Sequence, residues 1–165
     1  MMTRAAKLLL VLGIALLNTL VVFNNLNDFD YNYQFVRHVL SMDTTSPGNY
    51  GMWRALLSPA LHLAFYLGII AWEIATAVLL WWGAARLGRA FRQPASKFNA
   101  AKGIPILAVT LSMLLWLVAF LAIGGEWFLM YQSHDWNGQE AAFRMFMVAG
   151  LVLLILLQPE TGTEP

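Results

Sequence analysis

The sequence predicts an all-α integral membrane protein, built as an antiparallel bundle of four transmembrane helices with an ordered periplasmic cap. Only 12% of the 165 residues are charged and 59% are hydrophobic, whereas soluble domains are about 25% charged. Four apolar stretches approach the ~20 residues that cross ~30 Å of hydrocarbon. The basic residues also concentrate on one of the two sides that four alternating spans create.

The four spans are predicted at about 5–24, 58–83, 103–124 and 139–157. The first has a signal-peptide-like start, because Arg4 and Lys7 precede its apolar core, but Asn24 and Asn25 follow where a cleavage site would need small residues. We interpret it as an uncleaved helix. Residues 1–165 then form a single membrane domain, and the polar residues 158–165 are predicted to be a disordered tail.

Basic residues divide unevenly between the two sides. Seven lie on the side of the termini and the second connection: Arg4, Lys7, Arg86, Arg89, Arg92, Lys97 and Lys102. Three lie on the other side: Arg37, Arg54 and Arg144. Because short cytoplasmic loops carry the excess of Lys and Arg, we predict a multi-pass protein of the bacterial inner membrane with both termini cytoplasmic.

The third connection, Gly124 to Arg144, is richer in aromatic residues than a turn between helices requires. Gly124 and Gly125 are typical of a place where a helix ends or bends, but they do not explain Trp127 or Trp136. These indoles need a surface to pack on, and the first connection contains one. Its stretch FDYNYQFVRHVLSMD, residues 29–43, has apolar side chains at helical spacing.

We therefore predict that the first and third connections pack together as the periplasmic cap. Trp127 and Trp136 are its expected anchors. Arg54 and Arg144 are expected to neutralise acids among Asp43, Glu126 and Asp135, since unpaired cations at this boundary are unfavourable.

Several short motifs spread along nearly the whole chain carry a family resemblance: FVRHVLSMD, GMWRAL, WE, GGEWF, QS and WNGQEAAFR. With them the chain resembles a bacterial family of predicted small integral membrane proteins, a domain-of-unknown-function family. The resemblance implies a four-span inner-membrane protein and brings no activity, cofactor or catalytic residue with it.

Glu73 is the most costly residue in the sequence, since a carboxylate inside the bilayer costs about 2.5–3.5 kcal/mol on insertion scales. One interpretation is a protonated, hydrogen-bonded glutamate that locks helices together. The other is an acid that handles protons or ions. His62 and Asn18 are the further intramembrane polar residues, and Asn18 is expected to form an interhelical hydrogen bond.

Metal and catalytic sites find little support. His38, His62 and His134 fall on the same side, which allows a zinc or copper site, but their spacing matches no metal motif. The chain has no cysteine. No nucleophile elbow, phosphate-binding loop or paired metal-ligand motif is present, so we predict no catalytic residue, no metal and no cofactor.

The sequence thus favours a non-catalytic protein whose cap binds a partner, as an accessory subunit or an immunity-type protein. Its partners would be the lipid bilayer and a protein or further copies of itself, and no nucleic acid. The residues predicted for the cap or its partner surface are Arg37, His38, Asp43, Trp53, Arg54, Glu126, Trp127, Asp135, Trp136 and Arg144. Two alternatives stay open: a small oligomeric transporter or channel component that uses Glu73, and a membrane metal or redox protein with a site near the three histidines.

Overall fold

The structure, a computed structural model, describes residues 1–161. Within that range the chain is helical and contains no β-strand. Its α-helices are α1 (Met2–Asn27), α2 (Phe29–Ser41), α3 (Pro59–Ala90), α4 (Ala95–Ala101), α5 (Gly103–Leu114) and α6 (Gln139–Leu157). A π-helical segment (Leu115–Trp127) continues α5, and single 3₁₀ turns form at Met52–Arg54 and Met130–Gln132.

Four helices are long and apolar enough to cross a membrane: α1, α3, the continuous stretch Ala95–Trp127, and α6. The prediction of an all-helical chain with four such helices is confirmed. The third helix runs past Gly124 and Gly125, where the sequence predicted that it would end or bend, and both glycines are buried inside the π-helical segment. The segment ends at Trp127, and Leu129 just beyond it has a left-handed conformation with φ 55°.

Local sequence explains most of the helix boundaries. Pro59 occupies the first turn of α3, where a missing N–H costs nothing, and Ser58 before it is extended. Pro94 likewise precedes α4. The amphipathic helix α2 forms in the predicted region and ends at Met42, whose φ of 55° is left-handed.

The long helices pack in a closed order, α1 on α3, α3 on α5, α5 on α6 and α6 back on α1. One apolar core fills the space between them, and its fully buried members include Val11, Leu80, Leu87, Val109 and Leu156. A second core lies beneath α2, where Val36, Val39 and Leu40 meet Phe128 and Met130. We refer to the end of the molecule that holds α2 as the cap end and to the opposite end as the terminal end.

Buried cations at the terminal end are satisfied by the residues that follow α6. Lys7 and Lys102 both donate to the carbonyl oxygen of Gln158, at 2.6 and 2.9 Å. Lys7 also pairs with Glu160. Burial alone would raise the pKa of Glu160, but hydrogen bonds from Lys7 and Thr3 and the charges of Lys7 and Arg4 bring it below its usual value.

Residues 158–165 were predicted to be a disordered tail. Within the described part of the chain, Gln158 and Glu160 have the contacts given above, and Asn99 also bonds to Glu160. The remainder of that predicted tail, residues 162–165, lies outside the described residues.

Gly83 lies at a tight contact between α3 and α5. A Cβ atom added to it would lie 2.9 Å from the Cα atom of Pro105, a backbone atom that cannot move aside. Small residues allow backbones to approach in this way between membrane helices.

We expect Gly83→Ala to lower the free energy of unfolding by about 1–3 kcal/mol, because the added methyl overpacks this contact. The matched control is Gly88→Ala in the same helix, where an added Cβ meets no atom within 4 Å. Unfolding in mixed detergent micelles, followed by circular dichroism, measures both variants. Equal stability of the two would show that the α3–α5 contact is not tight.

Candidate functional site

The first and third connections contact each other directly at the cap end. The hydroxyls of Thr44 and Ser133 lie 2.8 Å apart, and the amide of Ser46 donates to the side chain of Gln132 at 3.3 Å. Together with the core under α2, these bonds join segments about ninety residues apart. The aromatic connection is therefore packed against α2.

Trp136 is held between α2 side chains. The His38 ring stacks on it with a centroid distance of 4.7 Å and an interplanar angle of 14°. Phe35 meets the same indole edge-on at 6.3 Å. Asp43 accepts from His38 Nδ1 at 2.9 Å and so fixes the imidazole against the indole. Trp136 thus joins the third connection to α2.

Arg54 lies between two exposed indoles. Its guanidinium is 5.4 Å from the centroid of the Trp53 ring and 5.3 Å from that of Trp127. The two rings meet edge-on at 5.7 Å. Trp53 is 72% exposed and Trp127 is 48% exposed, so Trp127 belongs to the surface.

The expected charge pairing at the cap is wrong. Arg54 donates to the carbonyl oxygens of Glu126 and Trp127, at 3.4 and 3.2 Å, where the end of a helix carries partial negative charge that attracts a cation. Arg144 pairs with Glu140 one turn away. Glu126 is exposed, as are Asp43 and Asp135.

The three histidines have separate partners. His38 bonds to Asp43 as described, buried His62 lies 2.7 Å from the carbonyl oxygen of Leu56, and exposed His134 lies 2.9 Å from Asp135. The hydrogen bond to Asp135 raises the pKa of His134. In residues 1–161, no three His, Asp or Glu side chains lie close enough together to hold a metal ion.

Two other predicted residues have simpler environments. Asn18 is buried, donates to Ile14 in its own helix and accepts a 3.3 Å hydrogen bond from Ser112 of α5, which is the expected interhelical bond. Arg37 is exposed and bonds to Gln34 within α2.

Glu73 is buried, with 2% of its surface exposed, and it is tied to the end of α1. Its Oε2 accepts a 2.7 Å hydrogen bond from the side chain of Asn25. The Asn25 carbonyl oxygen in turn accepts from the Tyr66 hydroxyl at 2.7 Å. No basic side chain in the described part of the chain pairs with Glu73.

Glu73 also faces a chamber of about 290 Å³ whose walls come from α1, α2, α3, the π-helical segment and α6. Its other polar side chains are Asn24, Asn25, Asn32 and the Tyr66 hydroxyl. Its aromatic walls are Phe35, Tyr66, Trp116 and Phe120. We call this space the Glu73 chamber.

The π-helical segment supplies two of these aromatic walls. It begins at Leu115, beside the point where the Trp72 indole donates to the carbonyl oxygen of Leu111 at 3.1 Å. A side-chain donor that inserts among the backbone hydrogen bonds of a helix is a recognised cause of irregular helix geometry. π-Helical turns often lie at functional sites.

Sequence reasoning singled out Glu73 but missed its surroundings. The available signal was the run NNLN (24–27), which places several amides at the end of an apolar helix. The sequence did not show that Asn25 and Glu73 lie at the same level of the bundle. Asn25 lies at the last turn of α1, whereas Glu73 lies 14 residues inside α3, whose first turns extend beyond α1 under α2.

The sequence matches the DUF2165 family, described as predicted small integral membrane proteins, over residues 3–159. The chain belongs to this family. It is an integral membrane protein, and the suspected resemblance is confirmed. No curated protein and no solved structure matches the chain.

Membership of DUF2165 establishes the membrane setting and names no activity. This DUF2165 protein has two distinctive regions. These are the packed cap end, with its exposed indoles around Arg54, and the Glu73 chamber beneath α2.

We expect Tyr66→Phe to lower the free energy of unfolding by about 1–3 kcal/mol, because the Asn25 carbonyl oxygen would lose its donor in a buried place. Tyr50→Phe is the matched control, since Tyr50 is 99% exposed. Unfolding in mixed micelles compares the two variants with the parent. A Tyr66→Phe variant as stable as Tyr50→Phe would show that this bond does not support the junction of α1 and α3.

Proposed function

We propose that this protein is a non-catalytic, multi-pass protein of the bacterial inner membrane whose periplasmic cap binds a partner protein. In this proposal the four long helices form an antiparallel bundle with both termini in the cytoplasm. The bilayer is its other partner, and the role uses no catalytic residue, metal or cofactor. The partner makes it an accessory subunit or an immunity-type protein.

The observation that carries the proposal is the Trp53–Arg54–Trp127 cluster. Tryptophan and arginine are enriched among the residues that dominate protein–protein binding energy. Here Arg54 is held in place by two carbonyl oxygens while Trp53 and Trp127 remain largely exposed. A cluster that is already ordered loses little conformational entropy when a partner covers it.

Charge supports the orientation. All seven basic residues assigned to the cytoplasmic side fall at or near the terminal end, in the first turns of α1, the end of α3, or the residues between α3 and α5. The cap end carries Arg37, Arg54 and Arg144. This division is the one that sets membrane topology.

A small oligomeric transporter or channel component is the second candidate, and the Glu73 chamber favours it. The metal or redox alternative has less support, because His38, His62 and His134 each bond to a different partner. Binding between copies of this chain through the cap is a further form of the partner proposal.

Orientation can be tested with introduced cysteines, since the chain has none of its own. We expect Asp30→Cys and Asp135→Cys to react with an impermeant maleimide in intact spheroplasts, because both lie at the cap end. Lys97→Cys is the control and should react only after lysis. Labelling of Lys97→Cys in intact spheroplasts would reverse the proposed topology.

Partner binding can be tested at the indole cluster. We expect Trp53→Ala to weaken co-purification of the partner in mild detergent by about tenfold or more, as truncating a central interface aromatic does. The matched control is Trp82→Ala, which removes a 50% exposed tryptophan from α3 toward the terminal end. Complexes that survive Trp53→Ala and Trp127→Ala unchanged would argue against the cap as the binding surface.

A further inference from the structure

We propose that the Glu73 chamber binds a monovalent organic ammonium ion, with the Glu73 carboxylate as its counter-charge. This site is separate from the partner surface, because Trp53, Arg54 and Trp127 are not among the residues that line the chamber. The proposal therefore does not depend on the proposed function.

The charge in the chamber comes from Glu73. Glu73 is the one acid that lines the chamber, and no Lys, Arg or His lines it. Asn25 satisfies Oε2, whereas no residue in the range 1–161 donates to Oε1. A carboxylate in apolar surroundings stays ionised only with a positive partner nearby. A ligand cation supplies the partner that the described chain does not.

The walls select the kind of cation. Four aromatic rings line the chamber, and the Trp116 and Phe120 rings stand 4.7 Å apart. Aromatic faces attract organic ammonium groups, including quaternary ones, through the ring quadrupole. A hard metal ion such as Ca²⁺ takes six to eight oxygen ligands, whereas this chamber offers one carboxylate, three asparagine amides and one tyrosine hydroxyl, of which Asn25 and Tyr66 are already hydrogen-bonded. The composition therefore fits an alkylated ammonium ion better than a metal.

The same walls disfavour zwitterions. A ligand with a phosphate or carboxylate would bring a negative charge into a space that already holds Glu73 and lacks a cationic side chain. This argues against a phosphocholine lipid headgroup and for a free cation.

Space for an apolar substituent adjoins the chamber. A second cavity, of about 100 Å³, lies under α2 and shares Phe35, Val36, Ile69 and Phe120 with the first. Its remaining walls are apolar side chains of α2, α3 and the π-helical segment, together with Phe128 and Met130. An ammonium ion with an apolar arm could therefore place its charge at Glu73 and the arm beneath α2.

Binding is coupled to a proton. In this proposal Glu73 is neutral when the chamber is empty, because an unpaired carboxylate in apolar surroundings is costly. When the ammonium ion enters, the carboxyl proton leaves to water and the carboxylate pairs with the ion, so charge balances. Tyr66 is the other titratable side chain facing Glu73, and α1, α2, the π-helical segment and α6 contribute none to the walls.

The test is calorimetric titration of the full-length protein in dodecyl maltoside, an uncharged detergent. The probes are tetramethylammonium, choline and benzyltrimethylammonium, and 3,3-dimethylbutan-1-ol is the uncharged counterpart of choline. We expect at least one cation to bind with an affinity that rises about tenfold per pH unit while Glu73 is protonated. Titration in two buffers of different ionisation enthalpy should show about one proton released per ion bound.

Two variants and one control make the test specific. Glu73→Gln should weaken binding about 100-fold and remove its pH dependence, because the ion loses its counter-charge. If that variant fails to fold, Trp116→Leu should weaken binding of the cation by a larger factor than it weakens binding of 3,3-dimethylbutan-1-ol. Glu140→Gln removes an exposed carboxylate that pairs with Arg144 and should bind as the parent does.

Four outcomes would overturn the proposal: no binding by any of the three cations, equal binding of the uncharged alcohol, unchanged binding by Glu73→Gln, or competition by Na⁺ or Ca²⁺ at lower concentration than the ammonium ions. None of these results bears on the Trp53 experiment, so the two proposals fail separately.

Discussion

Asn25 lies at the end of α1 and contacts the buried Glu73 of α3. The arrangement of the cap end depends on this contact. The last carbonyl groups of a helix have no partner within the helix, and an unpaired polar group in hydrocarbon costs several kcal/mol. The Tyr66 hydroxyl supplies the donor for the Asn25 carbonyl, and the Asn25 amide supplies one for Glu73. Each polar group thereby offsets the cost of burying another.

The position of α2 follows from the same constraint. Because α1 ends level with Glu73, the first turns of α3 extend beyond it and need another cover. The apolar face of α2 provides that cover, and Trp136 and Phe128 close its remaining sides. The aromatic content of the third connection is thus a packing requirement, and the indoles around Arg54 are the part that packing leaves exposed.

Length, hydropathy and periodicity were enough to predict four apolar helices and the amphipathic α2, because each depends on residues adjacent in sequence. The pairing of Arg54 was not predictable in this way. An arginine near several acids suggests ion pairs, but Arg54 donates instead to the carbonyl groups at the end of the π-helical segment. The hydrogen bonds of Asn25 with Glu73 and Tyr66 were missed for a related reason. They form only because α3 extends past the end of α1.

Lys7 connects the structure to the order in which the chain is made. This buried lysine lies in the second turn of α1, yet it bonds to Gln158 and Glu160, which are more than 150 residues later. During synthesis the ammonium group must therefore remain hydrated while most of the protein inserts. Its burial can follow only after residue 160 has left the ribosome, so closure of the terminal end is a late event in biogenesis, separated in time from formation of the junction between α1 and α3.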